Sequence, residues 1–220
     1  MKQLTQTALT LVVLAGAALA GPPLICQPYS IGSDTSLPWG ADKNAWGGLD
    51  PKYDSTNLSS DTLRILDAGK PLLTRMETLR RAAVYAGKNT PAGLELGNRL
   101  LARALAAEVK GQNNSLALFD AGYFVESMKQ IAHFSKSTAF SGMDGYDLVK
   151  RSLPGLQDKL AAEYALGLIQ AESSWPNEHI RRAAAGAQEG SLLATNIAKH
   201  FQNHRLGDIK KSLAVKSASR

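Results

Sequence analysis

The chain has 220 residues, 44% hydrophobic and 20% charged, with one cysteine and a formal net charge of +6. One cysteine excludes an internal disulfide framework, and a chain of this length buries a core without staples. The positive balance gives no broad basic surface, because Arg205, Lys210, Lys211, Lys216 and Arg220 against Asp208 place +4 in the last 16 residues and Lys2 carries a further charge.

Residues 1–20 read as a secretory signal. Lys2 supplies the positive start, the run Ala8 to Ala20 is apolar, and Ala18-Leu19-Ala20 has the small-x-small form that a signal peptidase accepts. A membrane span needs roughly 20 apolar residues, and Pro22 and Pro23 end this run early. Cleavage after Ala20 predicts an exported protein, periplasmic or extracellular, with no transmembrane segment in the mature chain.

Residues 21–58 hold five of the nine prolines, five glycines and two of the three tryptophans, Trp39 and Trp46. Fixed φ at proline and free backbone at glycine predict an irregular extended arm. Tyr29, Ile31, Leu37, Trp39 and Trp46 give it apolar surface to lay over the domain that follows.

Residues 59–205 carry helical periods and helix punctuation. "SSDTLRILDAG" starts at a Ser60 or Asp61 cap and stops at Gly69. "KPLLTRMETLRRAAVYAG" lines Leu72, Met76, Leu79 and Ala83 on one face. "TPAGLELGNRLLARALAAEVKG" has a Thr90 cap, Pro91 in its first turn and Gly111 past its end. Further helices are predicted over 115–134, from an Asp144 cap, along Leu156, Leu160, Tyr164 and Leu168, behind Ser174, and along Leu193, Ile197 and Phe201. The pairs Arg80-Arg81 and Arg181-Arg182 read as solvated helix faces, and residues 206–220 as a basic tail.

No alternating strand pattern competes. The fold expected is all-α: an irregular bundle or degenerate helical-hairpin array of seven to eight helices with an extended N-terminal arm. The proline-led helix starts at 71, 91 and 176 share no period, which argues against a regular 34-residue repeat.

Cys26 is the first candidate for chemistry. Ile25, not a small residue, precedes it, so a lipid anchor is not expected, and Gln27 follows where haem attachment needs a second cysteine and a histidine. Two roles stay open: a small buried hydrophobe under the arm, or a disulfide to a second copy. His200 and His204, four apart, share a helical face as two metal ligands do, but no third ligand is indicated. "DKNAWGGLDPKYD" sets Asp42, Asn44, Gly47 and Asp50 at calcium-loop positions, with Trp46 and Tyr53 where ligands belong. No metal, no cofactor and no nucleic-acid partner is expected.

The stretch "LIQAESSWPNEHIRRAAAGAQEGSLL" resembles the catalytic segment of goose-lysozyme-like lytic transglycosylases. Glu172-Ser173, Trp175, Pro176-Asn177 and Gly186-Ala187 carry the likeness, and Gln188-Glu189-Gly190-Ser191 replaces that family's Gly-Leu-Met-Gln. The resemblance implies a peptidoglycan-cleaving enzyme with Glu172 as the general acid. "PLIC", "SLPWG", "RMETLRRA" and "GSLLA" also resemble a group of uncharacterised exported bacterial helical proteins of no known activity. With no coherent catalytic set, the leading expectation is a non-catalytic binding or scaffold protein with a protein or cell-envelope partner. Cys26, Trp39 and Trp46 are its interaction candidates.

Overall fold

The computed structural model describes residues 23–40, 48–111, 114–135, 138–171, 176–201 and 204–218. Among them there are nine helices and no strand. These are α1 (Leu58–Asp67), α2 (Leu72–Ala86), α3 (Thr90–Val109), α4 (Ser115–Ser135), α5 (Gly145–Ser152), α6 (Lys159–Ile169), α7 (Glu178–Gly186), α8 (Leu192–His200) and α9 (Leu206–Ala218). None is long and apolar enough to cross a membrane.

The all-α expectation holds, and the count of seven to eight falls short by α9. The segment read as a basic tail is amphipathic: Leu206, Ile209 and Leu213 are buried against the rest of the chain. Its helix packs on α7 and α8. Lys210 donates to the carbonyls of Ala185 and Ala187, meeting the orphan acceptors at the end of α7.

Several helix starts differ from their expected caps. Asp144 does cap α5, accepting from the Asp147 N–H at 2.9 Å. However, α3 is capped by Asn89 rather than Thr90, and α7 by Asn177 rather than Ser174. In each case the first side-chain oxygen outside the helix reaches the third amide within it. The first helix starts at Leu58, behind a 3-10 turn closed by Asp54, so Asp61 lies in its first turn and caps nothing.

The second helix is the axis of the molecule. Fourteen of its fifteen residues are buried, Arg81 alone excepted. It meets α1, α3, α4 and α6, so its expected one-sided apolar face is only part of its contact surface. The backbones of α4 and α5 approach closely at a pair of glycines. A Cβ on Gly122 would meet the Gly145 carbonyl oxygen at 2.5 Å, and a Cβ on Gly145 would meet that of Gly122 at the same distance. Any side chain at either position drives these two backbones apart.

The arm packs on the helices through its apolar residues, and its inner side chains join the core. Leu24, Ile25 and Leu37 have no exposed surface and Tyr29 has 4%. An irregular segment of that burial must find partners for its own amides and carbonyls, and the helices supply them with side chains.

Candidate functional site

Residues 23–38 run through a groove between α2, α4, α6 and α8, and seven helix side chains bond to the arm's main chain. His200, which closes α8, meets the Pro23 carbonyl through Nε2 at 3.1 Å. A carbonyl only accepts, so Nε2 carries the proton. Gln130 Oε1 on α4 accepts from the Leu24 N–H at 2.8 Å, and Arg80 Nη1 donates to the Ile25 carbonyl at 3.2 Å. Glu77 Oε2 accepts from the Tyr29 N–H at 3.0 Å. Asn196 pairs with Ser30 twice, accepting from its N–H at 2.7 Å and donating to its carbonyl at 2.9 Å. Arg81 donates to the Leu37 carbonyl, and Tyr85 Oη donates to the Pro38 carbonyl at 2.8 Å.

The centre of the groove is a buried charge cluster. Glu77 takes Arg80 in a two-pronged pair, Nε to Oε2 at 2.7 Å and Nη2 to Oε1 at 2.9 Å, and Arg81 Nε reaches Oε1 at 2.7 Å. One carboxylate thus faces two guanidiniums. The surplus positive charge meets the Ile25 and Leu37 carbonyls and the face of Trp39, whose ring centre is 4.7 Å from the Arg80 guanidinium carbon and 5.5 Å from that of Arg81. Burial works to raise the Glu77 pKa, but Arg80 and Arg81 outweigh it and hold the carboxyl below its ordinary value. The expected solvated Arg80-Arg81 face is corrected here: Arg80 has no exposed side-chain surface and Arg81 has 19%.

An aromatic layer lies beside the charges. The Tyr29 and Tyr123 hydroxyls are 2.6 Å apart, and Tyr29 stacks on His200 with ring centres 5.8 Å apart. The Tyr164 hydroxyl meets His200 Nδ1 and lies 3.0 Å from the Asn196 carbonyl, with one proton between the two acceptors. Burial raises the phenols of Tyr29, Tyr123 and Tyr164, so each stays protonated. Burial lowers His200, against the Asn196 and Pro23 carbonyls, which favour the charged ring. These groups resemble a catalytic set in type, but each is directed at the arm or at its neighbour.

A second cluster joins α5, α6 and α7. Tyr146 Oη lies 2.9 Å from His179 Nε2, and His179 Nδ1 lies 2.6 Å from Glu163 Oε2. Arg182 Nε holds the other Glu163 oxygen at 3.0 Å. Burial raises the Tyr146 phenol, which keeps it a protonated hydroxyl rather than an oxyanion. The carboxylate–imidazole–hydroxyl line ties three helices together.

Of the residues marked by sequence, Cys26 is half-buried in the arm and packs against the core. Trp39 sits over the two arginines and edge-on to Tyr85 at 6.0 Å. Trp46 and Glu172 lie outside the described residues, as do Asp42, Asn44 and Gly47. Asp50 accepts from the Lys52 N–H and Tyr53 donates to Asp61, two local bonds. His200 and His204 do not share a helical face, because α8 ends at His200; His200 is buried and His204 exposed. Among the described residues no group of three or more metal-ligating side chains comes together.

Sequence reasoning missed Glu77, Gln130, Asn196 and Tyr123, and read Tyr29 and Tyr164 only as packing residues. The one available signal is polar residues at positions where the helical period calls for apolar ones, as with Asn196 beside Ile197. Comparison with protein-family models, with curated proteins and with solved structures finds no match to this chain.

Proposed function

We propose that this is an exported, non-catalytic binding or scaffold protein of the cell envelope, and that the arm and its groove are its working part. One observation carries the reading: the buried polar side chains of α2, α4 and α8 pair with the main chain of a non-helical segment built from turns and irregular backbone. Side-chain contacts to main-chain amides and carbonyls are how proteins grip extended peptides, with apolar slots for alternate side chains adding selectivity. Leu24, Ile25, Tyr29 and Leu37 are the buried apolar side chains of the arm, though not at alternate positions. The export reading rests on the apolar run and Ala18-Leu19-Ala20 described above.

The test compares the wild-type chain with Asn196→Ala, which removes both bonds to Ser30. Each is immobilised and exposed to envelope extract, and any captured component is then purified and titrated directly. The expected result is saturable binding by the wild type that weakens in the variant. Clearing of purified cell walls by the wild type and not by Glu172→Gln would instead establish a lytic enzyme.

A further inference from the structure

We propose that the groove accepts the arm of a second copy of this chain, so that two copies pair by exchanging residues 23–38. The proposal builds on the binding-module reading and names the partner of that same site.

Every contact that seats the arm joins it to a residue distant in sequence. The partners of Pro23, Leu24, Ile25 and Ser30 are 177, 106, 55 and 166 residues away. None depends on the covalent path between arm and helices, so a second copy's arm re-forms the same set without a new surface. The arm has little structure of its own. Among the described residues before Gly40 it forms no helix or strand, only turns at 23–25 and 32–33, the second closed by the Asp34 N–H on the Ile31 carbonyl at 3.2 Å. What suits an element to exchange is this combination: long-range contacts and no helix or strand that ties it to its own chain.

The empty groove is also a poor resting state. Without an arm, Arg80, Arg81, Gln130 and Asn196 lose buried main-chain partners, and the slots for Leu24, Ile25 and Leu37 open to water. No other polypeptide is shown to satisfy that set; the arm is. Mutual exchange fills both grooves and closes a two-fold pair, with the same patch used by each copy.

The cost lies where the chain passes from arm to domain. The Gly40 N–H bonds the Gly48 carbonyl at 2.7 Å, and Tyr85 Oη takes the Asp50 N–H at 3.1 Å while donating to Pro38. Those links favour the arm's own groove, as does the high effective concentration of a tethered segment. The pair therefore accumulates with concentration, and most readily when two copies fold together.

The experiment uses the wild-type full chain in two batches, one labelled with a fluorescence donor and one with an acceptor. They are mixed in denaturant and refolded at increasing concentration, with reductant throughout so that no Cys26 disulfide forms. Mass is read by light scattering and pairing by energy transfer. The expected result is a species of twice the chain mass, its ratio to monomer rising about tenfold for each tenfold rise in free monomer. A synthetic peptide of residues 21–40 in excess dissolves it, and the same peptide with Leu24, Ile25 and Tyr29 each changed to Asp does not. A chain that stays monomeric overturns the proposal. So does a dimer indifferent to the arm peptide, which would lie on another surface such as the exposed Leu105 and Val109 of α3. A monomer that still binds an envelope component removes the exchange and leaves the binding-module reading standing.

Discussion

At the scale of single residues, Glu77 is the keystone of the groove. Among the described residues it is the one acid paired with Arg80 and Arg81, and it also takes the Tyr29 N–H. Glu77→Ala leaves two guanidiniums without a counter-ion, one of them fully buried, a loss of about 3–5 kcal/mol. Urea unfolding of the variant against wild type measures it; a loss below about 1 kcal/mol, the value of an exposed pair, would place these charges in water. His200 sets a pH dependence of definite sign. Its pKa in the fold is lowered, so the unfolded chain binds more protons than the native one between the folded value and the ordinary histidine value of about 6.5. The stability that neutral His200 contributes is therefore complete above about pH 6.5 and is lost as pH falls from there toward the folded value. Glu77 works lower, because its depressed pKa keeps its contribution until pH falls below the ordinary carboxylate range. Unfolding followed from pH 8 to pH 5 should show a smaller fall in His200→Gln than in wild type. Equal slopes would mean His200 is not held neutral.

At the scale of elements, α9 turns a charged tail into a structural helix. Ile209 is 2% exposed, between α9 and the body of the fold. Ile209→Ala should cost about 2–5 kcal/mol, as large-to-small changes in packed cores do. A thermal melt unchanged by that substitution would return the segment to the role of a loose tail. The period of Leu206, Ile209 and Leu213 is present in the sequence, but a reading by charge gives more weight to the lysines around it. The Asp144 cap and the helices on Leu–Leu periods are legible for the same reason, since their signals are local. The groove is not legible, because Glu77 with Arg80 and Arg81 stands at the i, i+3 and i+4 spacings that also stabilise exposed helices. Only the arrival of the arm from some fifty residues away decides that this face is interior. The arm misleads in the opposite sense. Its prolines and glycines give no period; Tyr29, Ile31, Leu37 and Trp39 mark it as packed, but the side chains that pair with its backbone leave no local mark.

At the scale of the whole molecule, the inner side chains of the arm are part of the core. Helices α2, α4, α6 and α8 form a groove whose polar lining is satisfied by the main chain of the arm, and the proposed binding role and the proposed exchange of arms both rest on that. The most direct test is hydrogen exchange at the Leu24, Tyr29 and Ser30 amides, which donate to Gln130, Glu77 and Asn196. Read residue by residue on the wild-type chain, these amides should exchange only through opening of the core, at rates comparable to the α2 amides around Met76 and Leu79. Exchange as fast as in the free arm peptide would contradict the account.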